Sequence, residues 1–267
     1  MELAGNIRKM ESVVEEVIHY SLPVGDQAID MNSLLGREIW MHYENRINCL
    51  KCGRETRKSF AQGYCYPCFV SAPETEECVL RPELCRAHKG EARDMDYAKK
   101  QCLIEHVVYL ALTSGLKVGV TRISQVPFRW IDQGAVRALE LARTPNRYTA
   151  GLIEVALKSH IADKTNWRNM LSGADPGDTD LLTEKEKLAG LLPGDLAEFI
   201  TTGHGITELK YPVLKYPSKI KSLNLDKDPD VKGILTGIKG QYLIFEDSSV
   251  INLRKFGGYY IRIKTKD

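Results

Sequence analysis

The chain begins and ends with short runs of β-branched and aromatic residues that are separated by turn residues. Near its start, residues 17–20 and 38–43 have this character, and the sequence around Gly25 has the composition of a turn. Towards its end the same pattern returns at residues 206–214, 233–238, 241–245, 250–253 and 259–264. The pattern predicts a small antiparallel β unit over residues 1–48 and a β barrel or sheet over residues 208–267. Because both ends are β-rich, they could complete one sheet or barrel together.

The middle of the chain, residues 107–172, predicts a mixed α/β module that opens with a hairpin. Residues 107–112 and 116–121 form two short apolar runs joined across Thr113-Ser114-Gly115. Two apolar runs around so short a polar connection are typical of a tight β-hairpin.

Helical patterns follow the hairpin. Pro127 suits the first turn of a helix, which Gly134 would end. Residues 148–161 predict a clearer helix because apolar residues recur every four positions. Residues 136–142 fit either a helix or a strand, and periodicity alone leaves this open. We predict an acidic linker with helices over residues 173–207.

Composition and charge narrow the class of protein. The chain has 267 residues, of which 43% are hydrophobic and 27% charged, as in soluble globular proteins. Its net charge of +2 conceals local charges of −4, +6, −5 and +5 over residues 1–48, 49–172, 173–207 and 208–267. No apolar run approaches the roughly 20 residues of a membrane span, and no leader pattern follows Met1. We therefore expect a cytoplasmic protein without a membrane partner.

Two Cys-x-x-Cys pairs indicate a zinc ribbon within a cysteine-rich zinc-binding region, residues 49–106. Cys49 and Cys52 form the first pair, and Cys65 and Cys68 form the second. Two such turns supply the four sulfurs of a closed tetrahedral zinc site. The alternative is buried or redox-active thiols, which lack the expected βαβ surroundings here.

Basic residues and aromatic rings accompany the zinc ribbon. Lys51, Arg54, Arg57 and Lys58 are basic here, and Glu55 is the single acid. The aromatic residues Phe60, Tyr64 and Tyr66 lie nearby in the sequence. This combination suits a nucleic-acid backbone with neighbouring bases. An ordinary solvated turn, with the aromatics packed on the metal site, is the alternative.

A second, looser set of candidate zinc ligands follows. Cys78, Cys85 and His88 are close in sequence, and either Cys102 or His106 could complete a tetrahedron. The alternative is a set of core cysteines beside a surface histidine. The sequence therefore predicts one or two structural zinc ions.

The basic tail could also contact nucleic acid. Residues 208–267 contain twelve Lys and Arg, seven acids and several interleaved aromatic residues. Small barrels use such rings to stack single strands, although an aromatic core with solvated lysines explains the same composition.

The hairpin and its flanking helices resemble the GIY-YIG nuclease superfamily. Val107-Val108-Tyr109 and Lys117-Val118-Gly119 are similar to its paired tripeptides, and Arg129 and Glu154 fall where it carries its arginine and metal-binding glutamate. Asn166 is a weaker counterpart of a nearby polar residue. The resemblance implies a third strand at residues 136–142.

The resemblance also implies a chemistry. Glu154 would hold Mg²⁺, Arg129 would contact the phosphate, and Tyr109 would orient or deprotonate the attacking water. Lys117 departs from the pattern because it replaces a tyrosine, and lysine can bind phosphate but cannot act as a phenolic base. The structural alternative for Glu154 is an ion pair with Lys158.

Most of the chain resembles an uncharacterised bacterial family, domain of unknown function 2797. The motifs that carry this likeness are Cys49-Leu-Lys-Cys-Gly-Arg, Gln62-Gly-Tyr-Cys-Tyr-Pro-Cys, Gly115-Leu-Lys-Val-Gly-Val-Thr-Arg and Arg129-Trp-Ile-Asp-Gln-Gly. The sequence thus predicts an α+β protein that has a GIY-YIG-like central module, a zinc ribbon and flanking antiparallel β units. We expect it to bind DNA or RNA, either as a Mg²⁺-dependent endonuclease or as a non-catalytic, zinc-stabilised binding module.

Overall fold

A computed structural model describes residues 1–161, 166–174, 177, 179–203 and 205–265. It mixes helices and sheets, which confirms the α+β class. The chain divides into two compact units. Unit 1 contains Met1–Val70, Leu171–Gly173 and Lys210–Asp267, and unit 2 contains Ser71–Met170 and Ala174–Leu209.

The elements have the following bounds. The strands are β1 (Glu2–Asn6), β2 (Glu11–Val13), β3 (His19–Val24), β4 (Gln27–Asp30), β5 (Glu38–Asn48), β6 (Glu55–Thr56), β7 (His106–Leu112), β8 (Leu116–Arg122), β9 (Arg137–Thr144), β10 (Thr207–Glu208), β11 (Lys221–Ser222), β12 (Asp230–Lys239), β13 (Tyr242–Phe245), β14 (Ser249–Asn252) and β15 (Tyr259–Thr265). The α-helices are α1 (Tyr66–Ser71), α2 (Met95–Gln101), α3 (Phe128–Asp132), α4 (Arg147–Leu157), α5 (Trp167–Leu171), α6 (Leu181–Ala189) and α7 (Gly194–Ala197). Short 3₁₀ turns lie at Asn32–Leu34, Pro73–Thr75, Glu77–Val79, Pro82–Leu84, Ala87–Lys89, Ile123–Gln125 and Leu253–Phe256.

Unit 1 is built on a large sheet that joins the two ends of the chain. Its strand order is β1-β15-β5-β12-β13-β14-β11, with β6 also paired to β5. Glu2 of β1 lies opposite Lys264 of β15, and β15 continues antiparallel along β5. The prediction that both ends complete one sheet is confirmed. Strands β1 and β5 therefore share one sheet with strands of residues 208–267, whereas β2, β3 and β4 form a second sheet in this unit.

The core of unit 1 follows from period-two alternation. In β5, Ile39, Met41 and Tyr43 are buried, whereas Trp40 and His42 on the opposite face are partly exposed. Alternation of this kind buries one face of an antiparallel sheet and leaves the other to solvent. The neighbouring strands β12 and β15 add buried Val231, Ile261 and Ile263.

Unit 2 contains the predicted hairpin, with β7 inside its sheet and β8 at the edge. The strand order is β10-β9-β7-β8, and every residue of β7 is buried. This explains why β7 is a continuous apolar run without alternation. Residues 137–144 form strand β9, as the resemblance implied. Helices α4 and α6 contribute Ile153, Leu157 and Leu188 to the same apolar core.

One predicted strand was wrong in its length, and one helix has a defined starting signal. Residues 206–214 form a strand only at Thr207–Glu208, because the chain then leaves β9 and the Leu214 N–H donates to the Thr236 carbonyl of β12 instead. Within the stretch predicted to hold helices, α6 begins at Leu181 because the Asp180 carboxylate accepts a hydrogen bond from the Leu182 N–H. The two compact units divide after Val70, and the domain bounds expected from the sequence stay predictions. Part of the acidic stretch, residues 175, 176 and 178, lies outside the described residues.

Candidate metal centres and a buried tyrosine cluster

Cys49, Cys52, Cys65 and Cys68 converge in unit 1. Their sulfur atoms all lie within 4.8 Å of one another, so they could hold one metal ion. The turn after Cys52 depends on Gly53, whose φ is +73° and whose N–H donates to the Cys49 carbonyl. Few other residues adopt this φ without strain. Four thiolates in this arrangement suit a closed, structural zinc site.

Electrostatics among these thiols favour a bound cation. Burial acts to raise the pKa of Cys49, but hydrogen bonds from the backbone N–H groups of Cys65, Cys52 and Lys51 outweigh it and lower the pKa to about 6. Loss of hydration and the neighbouring thiols raise the pKa of Cys68 to about 12. The backbone thus stabilises one thiolate, while like charge opposes ionisation of all four. A divalent cation removes this opposition because it neutralises the shared negative charge.

Aromatic and basic side chains border this first centre. The ring of Phe60 lies 5.4 Å from that of Tyr66 and 5.7 Å from that of Phe69. Lys58 Nζ lies 5.3 Å from the centre of the Phe60 ring. The basic residues Lys51, Arg54, Arg57 and Lys58 are all exposed. The predicted proximity of cations and aromatic rings is therefore present on the ribbon.

Cys78, Cys85 and Cys102 form a second group, in unit 2. All three are buried, and their sulfur atoms also lie within 4.8 Å of one another. Cys78 and Cys85 lie on or beside short 3₁₀ turns, and Cys102 follows the last residue of α2. This confirms the prediction that cysteines of this region could hold a second metal ion, with three sulfur ligands.

Neither candidate histidine joins this second group within 4.8 Å of all its sulfur atoms. His88 stacks its ring on Tyr148, with ring centres 4.1 Å apart. His106 is buried in β7, where its Nδ1–H donates to the Ile104 carbonyl at 2.8 Å. Burial lowers the pKa of His106 to about 4, so its ring is neutral at pH 7. The structure thus brings together three of the predicted ligands, all of them thiols.

Arg147 accompanies the second group and was not anticipated from the sequence. It is buried at the start of α4, where its guanidinium donates to Cys78 Sγ at 3.5 Å and to the Gln101 carbonyl at 3.2 Å. Hydrogen bonds from Cys102 and Cys78 lower the pKa of Cys85 to about 3, whereas the pKa of Cys102 is raised by its hydrogen bonds with Cys78 and Cys85. Three thiolates around a divalent ion carry one net negative charge, which a buried guanidinium can balance.

Tyr109 and Gly119 are packed against each other on paired positions of β7 and β8. A Cβ at position 119 would come within 2.5 Å of the Tyr109 hydroxyl oxygen. Tyr109 is only 1% exposed, and its hydroxyl accepts a hydrogen bond from the Gln133 side-chain amide. The glycine of the second tripeptide is therefore needed to accommodate the phenol.

Gln133 connects Tyr109 to Lys117, a connection that sequence reasoning missed. Its amide nitrogen donates to Tyr109 and to the Arg129 carbonyl, and its amide oxygen accepts from Lys117 Nζ. Gln133 lies one helical turn after Arg129, and that spacing was the only available signal. Tyr109, Lys117 and the helix segment carrying Arg129 are thereby brought together.

Burial raises the pKa of Tyr109, while the Arg129 charge, the Gln133 amide and the Arg129 side chain act to lower it. Burial prevails, so the phenol stays protonated at neutral pH. A protonated phenol can donate or accept a hydrogen bond but cannot take a proton from water. Of the two roles implied for Tyr109, the environment therefore favours orientation.

Glu154 lies in α4 and is nearly buried. Its carboxylate lies 3.7 Å from Lys158 Nζ, which is the ion pair expected from the structural alternative. The Glu154 charge also acts to raise the pKa of Tyr109, so this carboxylate lies near the Tyr109 cluster. Within the described ranges, only the two cysteine groups gather three or more Cys, His, Asp or Glu ligand atoms. Any Mg²⁺ held by Glu154 would therefore need most of its ligands from water or substrate.

Asn166 has a local structural role. Its side-chain oxygen accepts hydrogen bonds from the backbone N–H groups of Arg168 and Asn169, at 3.2 and 3.3 Å, and so caps α5. Its own N–H donates to Ser114 Oγ at 2.9 Å. These hydrogen bonds are a structural reason for a polar residue at position 166.

Three of the seven aromatic residues of the tail lie in the core of unit 1. Phe245, Phe256 and Tyr259 are buried. Tyr260 is partly buried, and the Arg46 guanidinium lies 3.7 Å from the centre of its ring. The core alternative therefore explains these three buried rings of residues 208–267.

The fold and the two cysteine groups define an α+β protein with sites that could bind metal. A model of the family described as protein of unknown function, DUF2797, matches residues 36–261, and the chain belongs to this family. The matched residues include both cysteine groups and the Tyr109 cluster. No curated protein and no solved structure matches the chain. Across the helices that the structure describes, no segment is long and apolar enough to cross a membrane.

Proposed function

We propose that the protein is a zinc-stabilised nucleic-acid-binding protein whose main contact surface lies on the four-cysteine ribbon of unit 1. The observation that supports this most strongly is a set of exposed cations on the ribbon. Among the described residues, Arg54, Arg57 and Lys58 form no ion pair, and Glu55 is the only acid between the cysteine pairs.

Cations held at fixed positions suit a phosphate backbone. Each one that neutralises a phosphate releases a counterion, which favours binding at low salt. The proposed zinc fixes the ribbon, because the segment from Cys49 to Cys68 has little apolar core of its own and relies on its sulfur ligands. Removal of zinc should therefore weaken binding without any change to the cations themselves.

Salt-dependent binding tests the proposal. Fluorescence anisotropy with labelled DNA and RNA, across a salt range of about 50 to 300 mM, should show affinity falling as salt rises. The variant Arg54→Ala/Arg57→Ala/Lys58→Ala should have a shallower slope, by about 0.7 to 0.9 for each phosphate that the protein no longer neutralises. Lys215→Ala/Lys219→Ala/Lys227→Ala is the matched control, because it removes the same charge from exposed positions of unit 1. Binding that is absent at low salt, or equally weakened in both variants, would refute the proposal.

A second candidate function is phosphodiester cleavage of GIY-YIG type at the Tyr109 cluster. Its support is the packing of Tyr109 on Gly119, with Lys117 and Arg129 joined to it through Gln133. Glu154 would hold Mg²⁺, which would supply charge neutralisation at the phosphate. Tyr109 would orient the water, and Arg129 would bind the phosphate.

Cleavage assays separate the two candidates. If this activity is present, Mg²⁺ should support cutting of a panel of DNA and RNA substrates, and Glu154→Ala should abolish it. Lys158→Met, which removes the ion-pair partner but keeps the carboxylate, is the matched control. A full panel left uncut by folded protein, with binding unaffected by Glu154→Ala, would leave only the non-catalytic binding module.

A further inference from the structure

We infer that the ring surface formed by Phe60, Tyr66 and Phe69 on the ribbon binds single-stranded nucleic acid by stacking its unpaired bases. This inference rests on the proposed nucleic-acid-binding function, and it specifies which form of nucleic acid is bound. The surface offers aromatic faces beside cations, and only unpaired bases present accessible faces of their own.

The three rings form one partly exposed cluster. Phe60 lies between the other two, tilted by 61° to Tyr66 and stacked within 22° of Phe69. Tyr66 is 60% exposed and Phe69 is 36% exposed. Large aromatic side chains usually bury most of their area, so a cluster this open suits the binding of another molecule.

The cysteine ligands explain why the rings face outward. Helix α1 begins at Tyr66, directly after Cys65, and also carries Cys68. Cys65 precedes the helix and its carbonyl accepts from the Phe69 N–H, so Cys65 and Cys68, three residues apart, lie on one side of the first turn, towards the metal site. Tyr66 and Phe69 have the same spacing one residue later, which places them together on an adjacent face. The arrangement that binds the ion therefore also presents the two rings.

Charge complementarity favours nucleic acid over an apolar partner. Lys58 Nζ lies over the Phe60 ring, at 5.3 Å, and Arg54 and Arg57 are exposed on the same short ribbon. A strand that stacks one base on Tyr66 or Phe69 would bring its phosphates near these cations. A duplex could contact the cations, but its bases are already stacked and would not use the rings.

The test compares ligands that differ in whether they offer unpaired bases. Anisotropy is measured with a labelled single strand of about 12 nucleotides, the same strand with abasic sites, and a duplex of the same length. We expect the intact strand to bind most tightly. Tyr66→Ala should weaken it by about 5-fold to 150-fold, the equivalent of roughly 1–3 kcal/mol for one stacked base, without changing the salt slope. Tyr66→Phe keeps the ring and should bind like the wild type.

The outcomes are distinguishable. Zinc content and circular dichroism of Tyr66→Ala establish that the ribbon is intact, and Phe69→Ala provides a second ring variant. Salt-dependent binding that is equal for the intact, abasic and duplex ligands, and unchanged in both ring variants, would overturn this inference while leaving the proposed function standing. Absence of any salt-dependent binding would overturn both.

Discussion

The Tyr109 phenol lies directly over Gly119, so that a Cβ on residue 119 would meet the phenol oxygen at 2.5 Å and Cζ at 2.6 Å. The two residues are cross-strand partners, and every residue of β7 is buried. The ring therefore has little room to move away. Tyr109 of the first tripeptide and Gly119 of the second therefore depend on each other for packing, independently of any catalytic role.

This packing predicts the effect of Gly119→Ala. The added methyl group must displace a buried ring, so we expect the free energy of unfolding to fall by about 1–3 kcal/mol in urea denaturation. Gly115→Ala, in the turn of the same hairpin, is the control, because a Cβ there meets nothing within 4 Å. Equal stability of the two variants would show that the ring is free to shift.

Gln133 should contribute to stability through the two polar groups that it joins. In Gln133→Leu, Tyr109 and Lys117 are each deprived of a hydrogen-bond partner in a buried setting, so we expect stability to fall by about 2–4 kcal/mol. Gln133→Glu should lose less stability than Gln133→Leu, because a carboxylate can accept from both the ammonium and the phenol although it cannot donate to the Arg129 carbonyl. Urea denaturation of both variants tests this, with Gln125→Leu as a control on a neighbouring turn. A Gln133→Leu protein as stable as that control would contradict the connecting role.

The two cysteine groups predict a zinc content of two per chain. Cys49→Ala/Cys52→Ala and Cys78→Ala/Cys85→Ala should each reduce it to one, measured by elemental analysis of purified protein. Cobalt substitution should give intense thiolate charge-transfer absorption that each double variant partly removes. Because zinc binds the folded sites and unfolded thiols bind it less well, chelation should also lower the thermal midpoint. If the purified protein holds one zinc per chain and only Cys49→Ala/Cys52→Ala removes it, metal binding is restricted to unit 1.

The sequence predicted the elements that short stretches of neighbouring residues determine. The β7–β8 hairpin was predictable because two apolar runs surround Thr113-Ser114-Gly115, and the four-cysteine site because two close pairs fix its geometry. The pairing of β1 with β15 joins opposite ends of the chain, and their sequences carry no signal for register. Gln133 and Arg147 were missed for a similar reason. A polar side chain acquires its role from the buried groups that the fold brings to it, here Tyr109 and Cys78.

Lys239 should make stability depend on pH. It is buried, its Nζ lies 5.4 and 5.6 Å from the ring centres of Tyr211 and Tyr216, and burial lowers its pKa from 10.5 to about 8. Between pH 8 and 10.5 the unfolded chain therefore binds more protons at this residue, and its contribution to stability rises with pH. Lys239→Met should raise the free energy of unfolding at neutral pH by about 1–3 kcal/mol, and this advantage should disappear once the pH reaches about 10.5. Lys232→Met, at an exposed lysine 3.2 Å from Glu38, should change stability little at any pH. Urea denaturation across this pH range measures the difference, and a constant offset between Lys239→Met and wild type would contradict the titration of Lys239.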